Sequence, residues 1–193
     1  MGGKEDTWKP IPTKERIAKV ALRLFSIKGF KGTTIKDIAT EVGITEGAIY
    51  RHFSSKEEIV AYLLSKISSD LGNLIEKKAL SKGNIKAKVS SLIDILLWYA
   101  FEHPDAFRFL TVYHILRHNR RNTKLPGSIV IELLRKAYAK GRLLVSPEVA
   151  LSMIVGSVER LFILWELGML SGDKGRIASE VKEAVLRALF GCV

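Results

Sequence analysis

The chain has 193 residues, 47% of them hydrophobic, with 31 Lys and Arg against 20 Asp and Glu for a formal net charge of +11. This suits one medium domain or two small ones, and no run reaches the roughly 18 consecutive apolar residues of a membrane-spanning helix. Cys192 is the only cysteine, which excludes an intrachain disulfide or thiolate metal cluster; the opening Met1-Gly2-Gly3-Lys4-Glu5-Asp6 lacks both a secretory apolar stretch and a myristoylation hydroxyl, so a cytoplasmic location is expected.

Residues 1–12, with Pro10 and Pro12, read as an extended arm. Thr13 is placed to cap a first helix that carries Ile17, Val20, Ala21, Leu24 and Phe25 on one side and ends at Gly29. Thr34, with Asp37 three residues on, forms a capping-box-like start to a second helix whose stripe is Ile35, Ile38, Ala39 and Val42. Gly43 then supplies the left-handed residue that ends a helix and turns the chain. Thr45 caps a third helix of about two turns, anchored by Ile44 and Ile49. Around Ile49 its surface is polar, small or aromatic, and Gly47 and Ala48 leave room for close approach to a DNA groove.

This pattern is a helix-turn-helix in outline. Candidate DNA-binding residues are Thr34, Lys36, Thr45, Glu46, Gly47, Tyr50, Arg51, His52 and Lys56. Thr45, Tyr50 and His52 offer donors to phosphate oxygens, while Lys36 and Lys56 bring positive charge. Base readout falls on Thr45, Glu46 and Gly47; Glu46 can accept from a cytosine amino group or simply answer the helix dipole. Phe53 reads as core.

At Thr34, Ile38-Ala39, Gly43-Ile44, Gly47, Ile49-Tyr50, His52-Phe53 and Lys56, preceded by Leu24-Phe25 and Gly29-Phe30, the chain resembles the TetR family of transcriptional regulators. These residues occupy the first quarter to third of the chain; the remainder resembles the family in length and helical pattern. The resemblance implies an N-terminal three-helix DNA-binding domain, a larger helical domain that binds a small-molecule effector, and a homodimer that usually represses. No cofactor is implied.

Beyond this segment, Ser55 and Glu58 make a capping box for a helix running to about residue 80. Helices are expected at about 85–102, 105–120 and 128–140, separated at Pro104 and at Leu125-Pro126-Gly127. A helix at about 147–170 is apolar around nearly its whole circumference, so it must be covered on more than one side. The last helix, about 174–190, has one stripe of Ile177, Val181, Ala184, Val185 and Ala188. The fold class is therefore all-α, and the expected domains are residues 1–54 for DNA binding and 55–193 for effector binding and dimerisation. Pairing of the last two helices across a twofold axis, through Val155, Val158, Phe162, Val181, Ala184, Val185 and Ala188, would join two reading heads on a palindromic double-stranded DNA operator.

An effector site is sought where aromatic and polar residues gather: Trp98, Tyr99, Phe101, Phe107, Tyr113, His114, Phe162 and Trp165, with core packing as the competing reading of each. His114 and His118 share a helix face, but flanking Arg117 disfavours a metal, and none is assigned. No phosphate loop, HExxH or nucleophile elbow points to an enzyme. Residues 1–60 hold 11 Lys and Arg against 8 Asp and Glu, a net of +3, so +8 of the charge lies elsewhere. Its densest cluster, Arg117, His118, Arg120, Arg121 and Lys124, reads as a solvated helix end. An alternative to operator control is a helical dimer that uses its basic surface to bind partners without sequence selection.

Overall fold

The computed structural model describes residues 11–81, 83–116, with side chains to 113, and 126–191. Among these residues the regular structure is entirely helical: α1 Thr13–Gly32, α2 Ile35–Val42, α3 Glu46–Tyr50, α4 Lys56–Lys78, α5 Ile85–Glu102, α6 Pro104–Leu116, α7 Pro126–Ala139, α8 Pro147–Glu166 and α9 Lys174–Phe190. The chain divides into two compact units at Leu63–Leu64, inside α4.

In the first unit, α1 packs on α2 and α2 on α3. Ile17, Ala21, Ile38, Ile49, Phe53 and Ile59 are almost completely buried. Withdrawing a large aliphatic or aromatic side chain from water is worth about 1.5–3 kcal/mol, and these supply the core that holds a short α3 in place. Thr13 is the first helical residue rather than the cap. The Pro12 carbonyl instead accepts from Glu15 N at 2.9 Å and Arg16 N at 3.1 Å. Gly29 breaks the helical path with φ 71° and ψ 173°, yet a further helical turn follows to Gly32. The Arg16 guanidinium donates to Val42 O at 2.9 Å, closing the end of α2 from a different helix.

The second unit holds the rest of α4 and α5 to α9. Helix α8 is flanked by α5, α7 and α9, and α5 also meets α6 and α9. Three neighbours account for much of its apolar circumference. It stops at Glu166 rather than near residue 170, because Gly168 turns left-handed at φ 67° and Met169 N reaches back to Leu164 O at 2.9 Å. Helix α7 begins two residues before its expected start, with Pro126 in its first turn, where a missing N–H costs nothing. No helix among the described residues is long and apolar enough to cross a membrane.

Candidate nucleic-acid interface and ligand cavity

The geometry of residues 34–56 follows from three helix caps. The Thr34 hydroxyl accepts from Asp37 N at 3.0 Å and donates to Asp37 Oδ2 at 2.7 Å, while Thr34 N also donates to that carboxylate at 2.8 Å. These bonds hold the Asp37 carboxyl below the usual carboxylate range, the Thr34 hydroxyl being the largest cause. Gly43 ends α2 at φ 77°, and its N–H and that of Ile44 both reach Ala39 O. The Thr45 hydroxyl accepts from Ala48 N at 3.2 Å, which leaves its own O–H as a donor.

Only Ile49 of α3 is buried. Thr34, Lys36, Thr45, Glu46, Gly47, Tyr50 and Arg51 are exposed, whereas His52 and Lys56 are half-buried. The side chains of Lys36, Tyr50 and Arg51 have no hydrogen bond or ion pair among the described residues. Gly47 has an ordinary negative-φ backbone, and a Cβ placed there would meet only Thr45 Oγ1, at 3.9 Å. Nothing among the described residues requires a glycine at this position, although glycine in a helix costs roughly 0.5–1 kcal/mol against alanine. Its bare surface faces outward.

Lys56 has a structural task that spacing does not disclose. Its ammonium donates to Phe30 O at 2.7 Å and Thr33 O at 2.8 Å, and lies 4.2 Å from the centre of the Phe30 ring. It ties the first turn of α4 to the end of α1 and keeps one N–H for another acceptor. The α4 cap is displaced by one residue from the expected box. Ser55 Oγ accepts from Glu58 N, but the Glu58 carboxylate takes the N–H and hydroxyl of Ser54 rather than the N–H of Ser55. Ser54 thereby holds the Glu58 carboxyl below its usual range.

In the second unit a cavity of about 480 Å³ opens between α4, α5, α6, α7 and α8. Its wall is mainly aliphatic, with Leu71, Ile75, Leu92, Leu96, Val130 and Leu151 among the lining residues. Of the aromatic residues considered for a ligand site, Phe107 lines it. Trp98 is 48% exposed, with His103 edge-on at 5.3 Å. Tyr99 is buried against His103, and burial, aided by the negative charge of Asp70, pushes its hydroxyl pKa up to about 12, so it stays protonated. Phe101 meets Trp165 edge-on at 5.4 Å, with the Lys174 ammonium 4.3 Å from the Trp165 ring centre. Tyr113 stacks on Phe109 at 4.4 Å, and Phe162 packs edge-on against Phe107 at 5.0 Å. These rings fill space against each other. The side chain of His114, and residues Arg117, His118, Arg120, Arg121 and Lys124, lie outside the described residues.

The cavity was hidden from composition because aliphatic lining reads like any core. A usable signal was the Ser152 and Gly156 pair, one turn apart on α8 beside Leu151 and Val155, where small side chains leave volume unfilled. Of the residues expected at a dimer face, Val158, Phe162 and Val185 are buried within the chain itself, Val155 and Val181 are half-buried, and Ala184 and Ala188 are exposed.

Residues 17–63 match the family model for bacterial regulatory proteins of the tetR family. The chain is 52% identical over 64 residues to the uncharacterized HTH-type transcriptional regulator YerO of Bacillus subtilis, a match covering 33% of this chain and 21% of that relative's own length. It is 26% identical over 189 residues to YdgC, another uncharacterized HTH-type regulator of the same organism, covering 94% of this chain and 95% of the relative. Among solved structures, the ketosteroid transcriptional regulator KstR2 of Mycobacterium tuberculosis superposes with a TM-score of 0.75 at 16% identity, covering 94% of this chain and 97% of that one. At that identity the likeness speaks for the fold.

Proposed function

We propose, from the premise that the chain belongs to the TetR family of bacterial regulatory proteins and is a DNA-binding transcriptional regulator, that it represses its target genes as a homodimer on a palindromic operator and is released by a small apolar effector. The observation that carries this reading is the outward face of α3. Among the described residues, glycine at 47 serves no internal need there, and the side chains of Lys36, Tyr50 and Arg51 stand without hydrogen-bond or ion-pair partners. A bare helix face flanked by donors matches groove contact in the middle and phosphate contact at the sides. Thr34, whose hydroxyl is used in both directions by the cap, contributes to phosphate binding chiefly by orienting the start of α2.

Two copies are needed because so short a helix contacts few base pairs. The exposed Val149 and Arg160 of α8, together with Val181, Ala184 and Ala188 of α9, form the proposed pairing face, while Ser152 and Gly156 border the cavity. The effector occupies the 480 Å³ cavity, a volume within the range of small-molecule sites. Ser68, Leu71 and Ile75 on its wall belong to the same continuous helix as Lys56, so displacement of that wall is passed along α4 towards the reading head. A cytoplasmic location follows from access to DNA.

Selection of bound fragments from bacterial genomic DNA with the purified protein tests this function. A shared inverted repeat, with half-sites about one DNA turn or ~34–36 Å apart, is expected. Recovery of fragments without a common sequence would favour a basic helical dimer that lacks operator control.

A further inference from the structure

The start of α5 and the end of α7 border a small recess of about 170 Å³, with Lys88, Lys136, Lys140 and Arg142 among its lining residues. None of these four side chains, nor that of neighbouring Lys86, has a hydrogen bond or ion pair among the described residues, and no described acid lines the recess. Outside the described residues the sequence holds only two side-chain carboxylates, Glu5 and Asp6, both ahead of α1.

Helix stability does not account for this arrangement. Lys136 in the last turn of α7 answers that helix's dipole, but Lys86 and Lys88 stand at the second and fourth positions of α5, where the dipole disfavours positive charge and no acid accompanies them. Lys136 and Lys140 are four apart, a like-charge spacing that also costs stability. The chain turns to bring Arg142 to the same place: Gly141 is left-handed at φ 64°, and Arg142 N reaches back to Ala137 O at 3.0 Å. Lys88 is half-buried, so its charge has lost part of its water. A second recess of about 550 Å³ shares Ile85 and Arg142 with the first and adds Leu144 and Phe190. Leu144 is 68% exposed yet anchored, its N–H donating to Leu189 O at 3.0 Å.

We propose that the two recesses form one binding site for a soluble organic phosphate, with a multiply charged phosphate group among Lys88, Lys136, Lys140 and Arg142 and an apolar or aromatic part against Leu144 and Phe190. The site shares no lining residue with the 480 Å³ cavity, so it stands whether or not that cavity holds the effector. Several unpaired cations exceed what one carboxylate neutralises, whereas a diphosphate meets more of them at once. Lys supplies a point charge and Arg a planar fork, both suited to phosphate oxygens. Duplex DNA fits less well, because its backbone brings phosphates but nothing apolar for Leu144. A bound anion would bridge α5 and α7 and remove their mutual repulsion, so binding should stabilise the fold.

The test titrates the full chain by calorimetry with pyrophosphate, ADP, adenosine and citrate, and with vesicles of phosphatidylglycerol. ADP should bind more tightly than pyrophosphate, and pyrophosphate more tightly than citrate or adenosine; both phosphates should raise the melting temperature and lose affinity as salt is added. The double variant Lys88→Gln, Lys136→Gln should weaken ADP and pyrophosphate by about tenfold or more, while the ligand-free protein melts at the same temperature or higher because repulsion is relieved. Removing two exposed charges on α4 instead, with Lys77→Gln and Lys78→Gln, should change phosphate affinity by less than about twofold. Leu144→Ser should remove the advantage of ADP over pyrophosphate and leave pyrophosphate unchanged. The proposal is overturned if neither phosphate binds, if the α4 pair weakens binding as much as the recess pair, or if citrate matches pyrophosphate. It is equally overturned if ADP gains nothing over pyrophosphate, or if vesicles bind and ADP does not. Weaker duplex binding by the recess pair, with no phosphate compound bound, would make this surface a DNA contact and also sink the proposal.

Discussion

Two small polar side chains, Thr34 and Ser54, link the stability of the first unit to acid. Each hydrogen-bonds a carboxylate, Asp37 and Glu58 respectively, and holds its pKa below the ordinary range. A group whose folded pKa is depressed contributes stability above the unfolded value of about 4, and that contribution is lost as pH falls through the folded value. Melting of the full chain should therefore change little from these two groups between pH 7 and 5 and fall below about pH 4, with the acid limb shallower in Asp37→Asn. Thr34→Ala should cost about 1 kcal/mol at neutral pH, the usual worth of an N-cap, as read by denaturant unfolding. Lys56 carries a mixed expectation, because its ammonium already satisfies two carbonyls. Lys56→Met should destabilise the first unit by roughly 1.5–3 kcal/mol and weaken DNA binding together, whereas Lys36→Met should leave melting unchanged and reduce the salt slope of DNA binding by about 1.

At the scale of elements, the helix boundaries depend on a few glycines and prolines. Gly43→Val places a branched side chain at φ 77°, and it should destabilise the turn between α2 and α3 by more than 1 kcal/mol and reduce DNA binding without altering effector affinity; parallel melting and ligand titration check this. The caps at Thr34, Gly43 and Thr45 were legible in the sequence because each is a local interaction over three or four residues. Local signals also placed α5 and α9. The Gly168 stop after α8 was equally local and was outweighed by the apolar run leading into it. What spacing could not disclose was long-range: the Lys56 bond to Thr33 O crosses 23 residues, and Arg16 reaches Val42 across 26. The cavity escaped for the same reason. Whether Leu92 or Phe101 faces empty volume depends on five helices meeting, and aromatic content pointed to rings that satisfy one another.

For the whole molecule, charge and function are separated along the chain. The first 60 residues carry a net +3 while the remainder carries +8, so sequence-independent attraction to DNA can draw on the entire protein, whereas in the proposed reading selectivity belongs to α3. If the proposed effector releases the proposed operator, each must disfavour the other by the same factor, and coupling of this kind is typically about 5–150-fold. The central claim is that the outward face of α3 reads sequence. It is tested most directly by titrating a selected operator duplex and a scrambled duplex, at matched salt, against the unsubstituted protein and Gly47→Leu. Position 47 is exposed, a Cβ there meets only Thr45 Oγ1 at 3.9 Å among the described residues, and leucine favours helix, so stability should hold or rise. The account predicts that the unsubstituted protein prefers the operator by about a thousandfold or more and that Gly47→Leu loses this preference while still binding both duplexes weakly. A Gly47→Leu protein that kept its full operator preference would contradict it.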